Sequence, residues 1–207
     1  MNITVIGGNS GTGAEVVRIA ADRGHEVTCV SRSGSSILPS GAKEVRGDAL
    51  DHAVVLGAIE QADAVVVTVG GAKGSGRHRT EVTRTVIDAM KLAGVRRLIV
   101  QSSLGAGDSG GLMSTASRLF AKTVLAKALD DHNDQEAAVF GSDLDWTVVR
   151  PGGLTDKPAT GDVVAQETLE GRPMKGMIPR TDVATYIVDI LDDEHTVGQA
   201  LALGTGA

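Results

Sequence analysis

Val5-Ile6-Gly7-Gly8-Asn9-Ser10-Gly11-Thr12-Gly13-Ala14 decides the fold of this chain. The stretch follows an apolar start, Ile3-Thr4-Val5-Ile6, and runs into Glu15-Val16-Val17-Arg18-Ile19-Ala20-Ala21. That order predicts a strand, a glycine turn and a helix. A parallel strand entering such a turn aims the unpaired N–H groups of the next helix at one point, where a phosphate binds. Glycines let the backbone approach the phosphate and let the helix pack near the strand. Among 27 glycines a GxxxGxG pattern arises by chance, so its place between strand and helix carries the reading. The expected contacts to a dinucleotide are Gly7, Asn9, Ser10, Gly11, Thr12 and Gly13. The Gly-Lys-Ser/Thr end of a P-loop is missing, so ATP hydrolysis is not indicated.

Outward from this stretch, strands and helices alternate. Apolar runs lie at Ile3–Ile6, Val27–Val30, Ala64–Val69, Leu98–Val100 and Trp146–Val149, with a weaker one at Lys43–Arg46. Helix-like stretches fall at 13–23, 51–60, 79–93 and 115–140. Gly24 and Gly94 stop two of them. This pattern predicts an α/β fold, a doubly wound and mostly parallel sheet of the dinucleotide-binding Rossmann type. After Arg150-Pro151-Gly152-Gly153 the pattern loosens. A short strand is expected at Asp162–Ala165, and Pro173 and Pro179 interrupt the next stretch. Thr181 reads as the N-cap of a helix over 182–192, and Ala200–Leu203 as a last strand. The expectation is a single domain over 1–207, with 151–207 as a lid or wall on the substrate side.

Composition narrows the function classes. The 207 residues are 42% hydrophobic but only 2% aromatic, so Val, Ile, Leu and Ala must build the core, as suits buried parallel strands. A formal charge of -6 disfavours a nucleic-acid binder, which needs a basic face. Cys29 is the sole cysteine, so no intrachain disulfide forms and a cytoplasmic location is expected. The first residues read as a strand rather than a signal segment, and no apolar run approaches the ~20 residues that span a bilayer. His25, His52, His78, His132 and His195 show no metal-binding spacing. The expected partner is a small molecule, not nucleic acid or membrane.

The second strand ends Val30-Ser31-Arg32-Ser33. A site for NAD usually carries an acid here for the ribose 2′-hydroxyl, and none is present. Arg32 and Ser33 suit the 2′-phosphate of NADP, so NADP(H) is expected over NAD(H), with NAD(H) still possible. The competing reading of Arg32 is a solvated loop residue. Asp48 and Ala49 follow the third strand. Asp48 either meets the adenine amino group or, like Asp51, caps the next helix. Val69, Gly70 and Gly71 open a glycine-rich loop through Ala72-Lys73-Gly74-Ser75-Gly76 at the carboxyl end of the sheet, where ligands bind in such folds.

With these residues in place the chain resembles the short-chain dehydrogenase/reductase superfamily in its atypical branch. It is most similar to NmrA-like and biliverdin-reductase-B (flavin-reductase-like) members. The resemblance is carried by the glycine loop, Asp48, Gln101-Ser102-Ser103, Asp130-Asp131-His132, Trp146-Thr147-Val148-Val149-Arg150-Pro151-Gly152-Gly153-Leu154 and Ile178-Pro179-Arg180-Thr181-Asp182-Val183-Ala184. It implies that Ser103, with Ser102 beside it, lies near nicotinamide and substrate. It also implies that Pro151, Gly152, Gly153 and Leu154 present backbone to the nicotinamide carboxamide; a plain strand-exit turn is the competing view. Two departures stand out. The atypical branch usually shows GxxGxxG, which puts Ser10 at the middle glycine. The Tyr-x-x-x-Lys catalytic pair is missing, since the only tyrosine, Tyr186, is followed four residues later by Ile190.

The catalytic candidates are therefore Ser103 and His132. Ser103 either donates a hydrogen bond to substrate or cofactor or merely ties down the strand end. His132 is the general-acid candidate by side-chain type, against a structural role. Arg77-His78-Arg79 is a small basic spot, either a solvated helix start or a contact for an anionic acceptor. Gly107-Asp108-Ser109-Gly110-Gly111 spells a serine-protease motif, but the alternating pattern is not a two-barrel β fold, and Ser109 does not sit between a strand and a helix. That loop is instead a candidate substrate gate. The expected function is an NADPH-dependent oxidoreductase acting on a flavin, quinone or similar conjugated acceptor. The alternatives are an NADP(H)-sensing regulator that docks a protein partner without turnover and a nucleotide-sugar epimerase or dehydratase.

Overall fold

The structure is a computed structural model and describes every residue except 35–37, 72–75, 168–173, 175–176 and 206–207, and the side chains of Phe120 and Lys122. Pro173 and the stretch Ala72-Lys73-Gly74-Ser75 thus lie outside the described residues. The strands are β1 (Asn2–Ile6), β2 (Glu26–Ser31), β3 (Ala42–Arg46), β4 (Ala64–Val67), β5 (Arg97–Gln101), β6 (Asp145–Pro151), β7 (Gly153–Thr155), β8 (Val163–Glu167), β9 (Met177–Pro179) and β10 (Gln199–Thr205). The helices are α1 (Gly11–Asp22), α2 (His52–Ile59), α3 (His78–Ala93), α4 (Thr115–Val124), α5 (Ala126–Phe140) and α6 (Arg180–Asp189).

Eight strands form one sheet in the order β3-β2-β1-β4-β5-β6-β10-β8 among the described residues. Every neighbouring pair is parallel except β10 with β8. The chain leaves β1 in one direction to β2 and β3 and in the other to β4, β5 and β6. That reversal opens a crevice at the carboxyl ends of β1 and β4, where ligands sit in doubly wound sheets.

The near-continuous apolar runs follow from helices covering both faces. Val5, Val27, Val66, Ile99 and Val149 turn to one layer, under α1 and α6. Their neighbours Ile6, Val30, Val65, Val67, Leu98, Val100 and Val148 turn to the other, under α2, α3 and α5. Each fully buried valine or isoleucine contributes roughly 1.5–3 kcal/mol relative to exposure.

Several boundaries differ from expectation. The stretch 115–140 is two helices, broken at Leu125 (φ -105, ψ 8) with no proline or glycine to mark it. α5 packs on the main sheet, whereas α4 leaves it to form a wall. Thr181 is not the N-cap of α6; Pro179 takes that place in extended conformation, and the Thr181 hydroxyl instead meets Glu15 at 3.3 Å. β4 stops at Val67, two residues short of the apolar run. β7 and β9 pair as a separate two-stranded sheet that the sequence pattern does not show. The region after Pro151 is also more than a lid, because α6 and β10 belong to the main layers. Arg97 fastens α6 there, donating to the carbonyls of Ile190 at 2.7 Å and Leu191 at 3.1 Å. Among the described residues no helix is long and apolar enough to cross a membrane.

Candidate functional site

The glycine loop resolves into three positions with separate tasks. Gly7 turns the chain at φ +89 and donates its N–H to Val30 O at 2.9 Å. Ser10 is the extended N-cap of α1 and makes no side-chain cap bond. Gly13 lies where a methyl group would overlap the Gly7 carbonyl oxygen and Thr68 Oγ1, so only glycine lets α1 pack this close to the strands. The working spacing is therefore Gly7, Ser10, Gly13, the GxxGxxG form with serine in the middle. Thr12, on the first turn of α1, is buried, and its hydroxyl has no partner among the described residues.

A first hollow of about 260 Å³ lies beyond the loop, bounded by the ends of β1, β2, β3 and β4. Arg32 stands exposed at its rim, and Ser33 is held by Asn9 Nδ2 at 2.8 Å. The hydroxyl of Ser31 is buried without a partner among the described residues. Asp48 and Ala49 line the same hollow, with Asp48 Oδ1 accepting from Leu50 N at 3.0 Å in a local turn. The helix cap is Asp51, which accepts from Ala53 N at 2.9 Å. Val69, Gly70, Gly71 and His78 complete the wall.

A second hollow of about 330 Å³ continues from the first, sharing Ser10, Thr68, Val69 and Gly70 with it. It brings together Gly11, Thr12, Ser102, Ser103, His132, Pro151, Gly152 and Leu154, with Gln101, Arg79 and Arg180 added by the structure. Gln101 Oε1 is a second buried atom here without a partner among the described residues. His132 sits in a fixed chain: Gln135 Nε2 donates to Thr83 Oγ1 at 3.0 Å, which turns Gln135 Oε1 toward His132 Nδ1 at 3.2 Å. Nδ1 therefore carries the proton, with Ser102 Oγ at 3.4 Å, and Nε2 is the bare nitrogen. Burial first, and then the nearby Arg79 guanidinium, push the His132 pKa down to about 4, against opposing pulls from Gln135 and Asp131. The imidazole is neutral near pH 7, so the expectation of a charge poised for general-acid work does not hold.

Of the basic run at the start of α3, Arg77 is solvated, with its side chain 68% exposed, and the other two are not. Arg79 pairs with Asp131 at 3.2 Å and Arg77 with Asp134 at 3.1 Å, while His78 is buried. Asp131 also accepts from Thr80 N and Thr80 Oγ1 at 3.1 and 2.8 Å, anchoring the start of α3 to α5. Burial alone would raise the Asp131 pKa, but these donors hold it below its usual value.

A third hollow, about 660 Å³ and mostly apolar, opens beside the second and shares Ser103 and Gly152 with it. Met113, Met174 and Met177 line it with Ser114, Ser117 and Leu125 of the α4 region. Gly153 belongs to this hollow rather than to the second, and a methyl group on it would overlap Met177 Sδ. Among the described residues Ser103 Oγ has only a long bond, to Leu104 O at 3.3 Å.

The loop after β5 is pinned. Ser109 is fully buried, accepting from Gly105 N at 2.8 Å and donating to Ala106 O at 2.6 Å. Gly107 N donates to Asn133 Oδ1 at 2.7 Å. Arg150, 1% exposed, grips Glu136 through Nε at 2.9 Å and Nη2 at 2.7 Å, and Asp108 through Nη1 at 2.6 Å. A nucleophilic Ser109 is thereby excluded, and a freely moving gate at 105–112 does not fit these ties. The methionines and Arg180 carry no site signal in the sequence because they converge from separate segments.

The hollows and the loop between the first two fit a dinucleotide: room for two halves, amides of α1 between them, and unpartnered Ser31, Thr12 and Gln101 atoms along the way. Comparison with known proteins agrees. The family model described as NAD(P)H-binding matches residues 7–194. The uncharacterized sugar epimerase YhfK of Bacillus subtilis is 28% identical over 217 aligned positions, covering 100% of this chain and 95% of its own. The structure of ChuY, an anaerobillin reductase from Escherichia coli O157:H7, superposes with TM-score 0.82 at 28% identity, over 99% of this chain and 97% of that one. A short-chain dehydrogenase/reductase of Veillonella parvula in complex with NADP shares the fold, with TM-score 0.84 at 20% identity over 100% and 95% of the two chains.

Proposed function

We propose, for a chain that belongs to the NAD(P)H-binding family, an NADPH-dependent reductase that passes a hydride to a small conjugated acceptor such as a flavin or quinone. One observation carries this reading: the second and third hollows share Ser103 and Gly152 as a common wall. A cofactor in the first two hollows and an acceptor in the third would meet across that wall. A volume of about 660 Å³ with a mostly apolar lining suits a fused-ring acceptor.

When bound, the nicotinamide supplies the hydride. Ser103 Oγ donates a hydrogen bond to the acceptor where negative charge develops. His132 Nε2 would be free to accept from the nicotinamide half, and Pro151 and Gly152 would hold the ring. The accompanying proton comes from water, since His132 is neutral. Arg32, Ser33 and the buried Ser31 hydroxyl favour the 2′-phosphate, so NADPH is preferred and NADH binds more weakly. A relative named a reductase, alike over nearly its whole length, supports the reductase reading. An epimerase that oxidises and re-reduces its sugar needs a proton-exchanging group at the hydroxyl it oxidises. Here Tyr186 packs half-buried against the core on α6, out of every hollow described. A sensor with a protein partner would not require the third hollow. NADPH chemistry and a buried reduced Cys29 suit the cytoplasm.

The test follows NADPH absorbance with FMN, riboflavin and small quinones. Turnover that falls in Ser103→Ala with NADPH affinity kept supports the reductase. Tight NADPH binding with no turnover on any acceptor replaces it with the sensor.

A further inference from the structure

Arg180 is unused by the chemistry above, and its position is unusual. It is the first residue of α6, directly after Pro179. A cation there meets the positive end of its own helix, which disfavours it. Its guanidinium nevertheless reaches across to the second hollow and lies over the start of α1. A Cβ on Gly11 would sit 3.5 Å from Arg180 Nε and 3.7 Å from Cδ. The only charge holding it among the described residues is Asp156, at 2.6 Å from Nη1, and the Asp156 side chain is 88% exposed.

The surroundings of Arg180 are short of positive charge. The loop Gly7–Ala14 contains no basic residue. The end of α1 supplies only about half a positive charge, short of what a pyrophosphate brings. The Thr12 hydroxyl, 5% exposed and without a partner among the described residues, lines the same hollow as Arg180. The other guanidinium in that hollow, Arg79, is committed to Asp131, which is buried and tied to Thr80.

Resting on the dinucleotide reading above, we infer that Arg180 is a mobile clamp that leaves Asp156 to close on the cofactor's pyrophosphate. Asp156 is the parking partner, holding the guanidinium at the mouth of the site until a stronger anion arrives. Gly11 is bare of a side chain where the guanidinium passes. Asp156 directly follows β7, the short strand that begins at Gly153.

The experiment measures dissociation constants for NADPH and for 2′-AMP, which lacks the pyrophosphate, in wild type, Arg180→Gln, Arg180→Lys and Asp156→Asn. The clamp predicts that Arg180→Gln weakens NADPH about tenfold or more, with 2′-AMP unchanged and the salt dependence of NADPH binding reduced. Arg180→Lys recovers part of the loss, and Asp156→Asn binds NADPH as well as wild type or better. Unchanged NADPH binding in Arg180→Gln overturns the clamp. So does a loss shared by 2′-AMP, or an equal loss in Asp156→Asn, since either marks a merely structural ion pair. Wild type that fails to bind NADPH at all overturns the dinucleotide reading itself, and the clamp with it.

Discussion

The two ends of the site are built from different materials. The cofactor end is backbone: a glycine turn, the first amides of α1 and the strand ends of the main sheet, set by contacts with no slack. The proposed acceptor end is side chain: three methionines, three serines and the flank of α4, gathered from segments far apart in sequence. Backbone sites tolerate almost no change in shape, whereas thioether linings repack around the molecule they hold. The difference predicts a protein strict about its cofactor and lenient about its acceptor.

The strict end breaks hardest. Gly13→Ala puts a methyl group onto the Gly7 carbonyl and Thr68. The expected cost is about 3 kcal/mol or more of stability together with loss of NADPH binding, read by denaturant melts and calorimetry. A Gly13→Ala protein with wild-type stability would show that α1 does not pack as described.

A second test uses acid. The folded pKa of His132, about 4, lies below its ordinary 6.5. The neutral form is the one the fold accepts, so its contribution is complete above pH 6.5 and is lost as pH falls toward 4. Wild type should lose about 2 kcal/mol between pH 7.5 and 5 that His132→Asn does not lose. Turnover should show no histidine limb between pH 6 and 8. Equal acid sensitivity in both proteins would place the imidazole in water.

Smaller effects separate the two ends. Arg32→Ala should weaken NADPH about tenfold and leave NADH unchanged, which binding titrations would read. Met113→Ala should raise the acceptor KM roughly threefold with NADPH affinity constant. A Met113 variant that lost NADPH affinity would merge the two ends into one.

The same contrast explains what the sequence reveals. The cofactor end is local: strand, glycines and helix are consecutive, so periodicity and Gly7 and Gly13 suffice to place it. Even there, the sequence leaves two spacings, one with Gly11 and one with Ser10 in the middle, and the structure decides between them. The sheet is legible because both its faces are buried, giving unbroken runs such as Ala64–Val67. The acceptor end is not local. The break at Leu125 carries no glycine or proline, since it is tertiary packing that sends α4 one way and α5 the other. Met113, Met174 and Met177 have no common spacing, and β7 and β9 are too short to show a period. His132 is identifiable by type, but its neutrality depends on burial and on Gln135, which only coordinates show.

The central claim is that cofactor and acceptor meet across Ser103 and Gly152. Its most direct test is single-turnover reduction with NADPH deuterated at one or the other face of nicotinamide C4, using whichever flavin or quinone turns over. A ring held against one wall transfers from one face, so deuterium on that face alone should slow the reaction, in wild type and in Met113→Ala alike. Slowing by neither label or equally by both, or oxidation of NADPH without reduction of the acceptor, would contradict a shared wall.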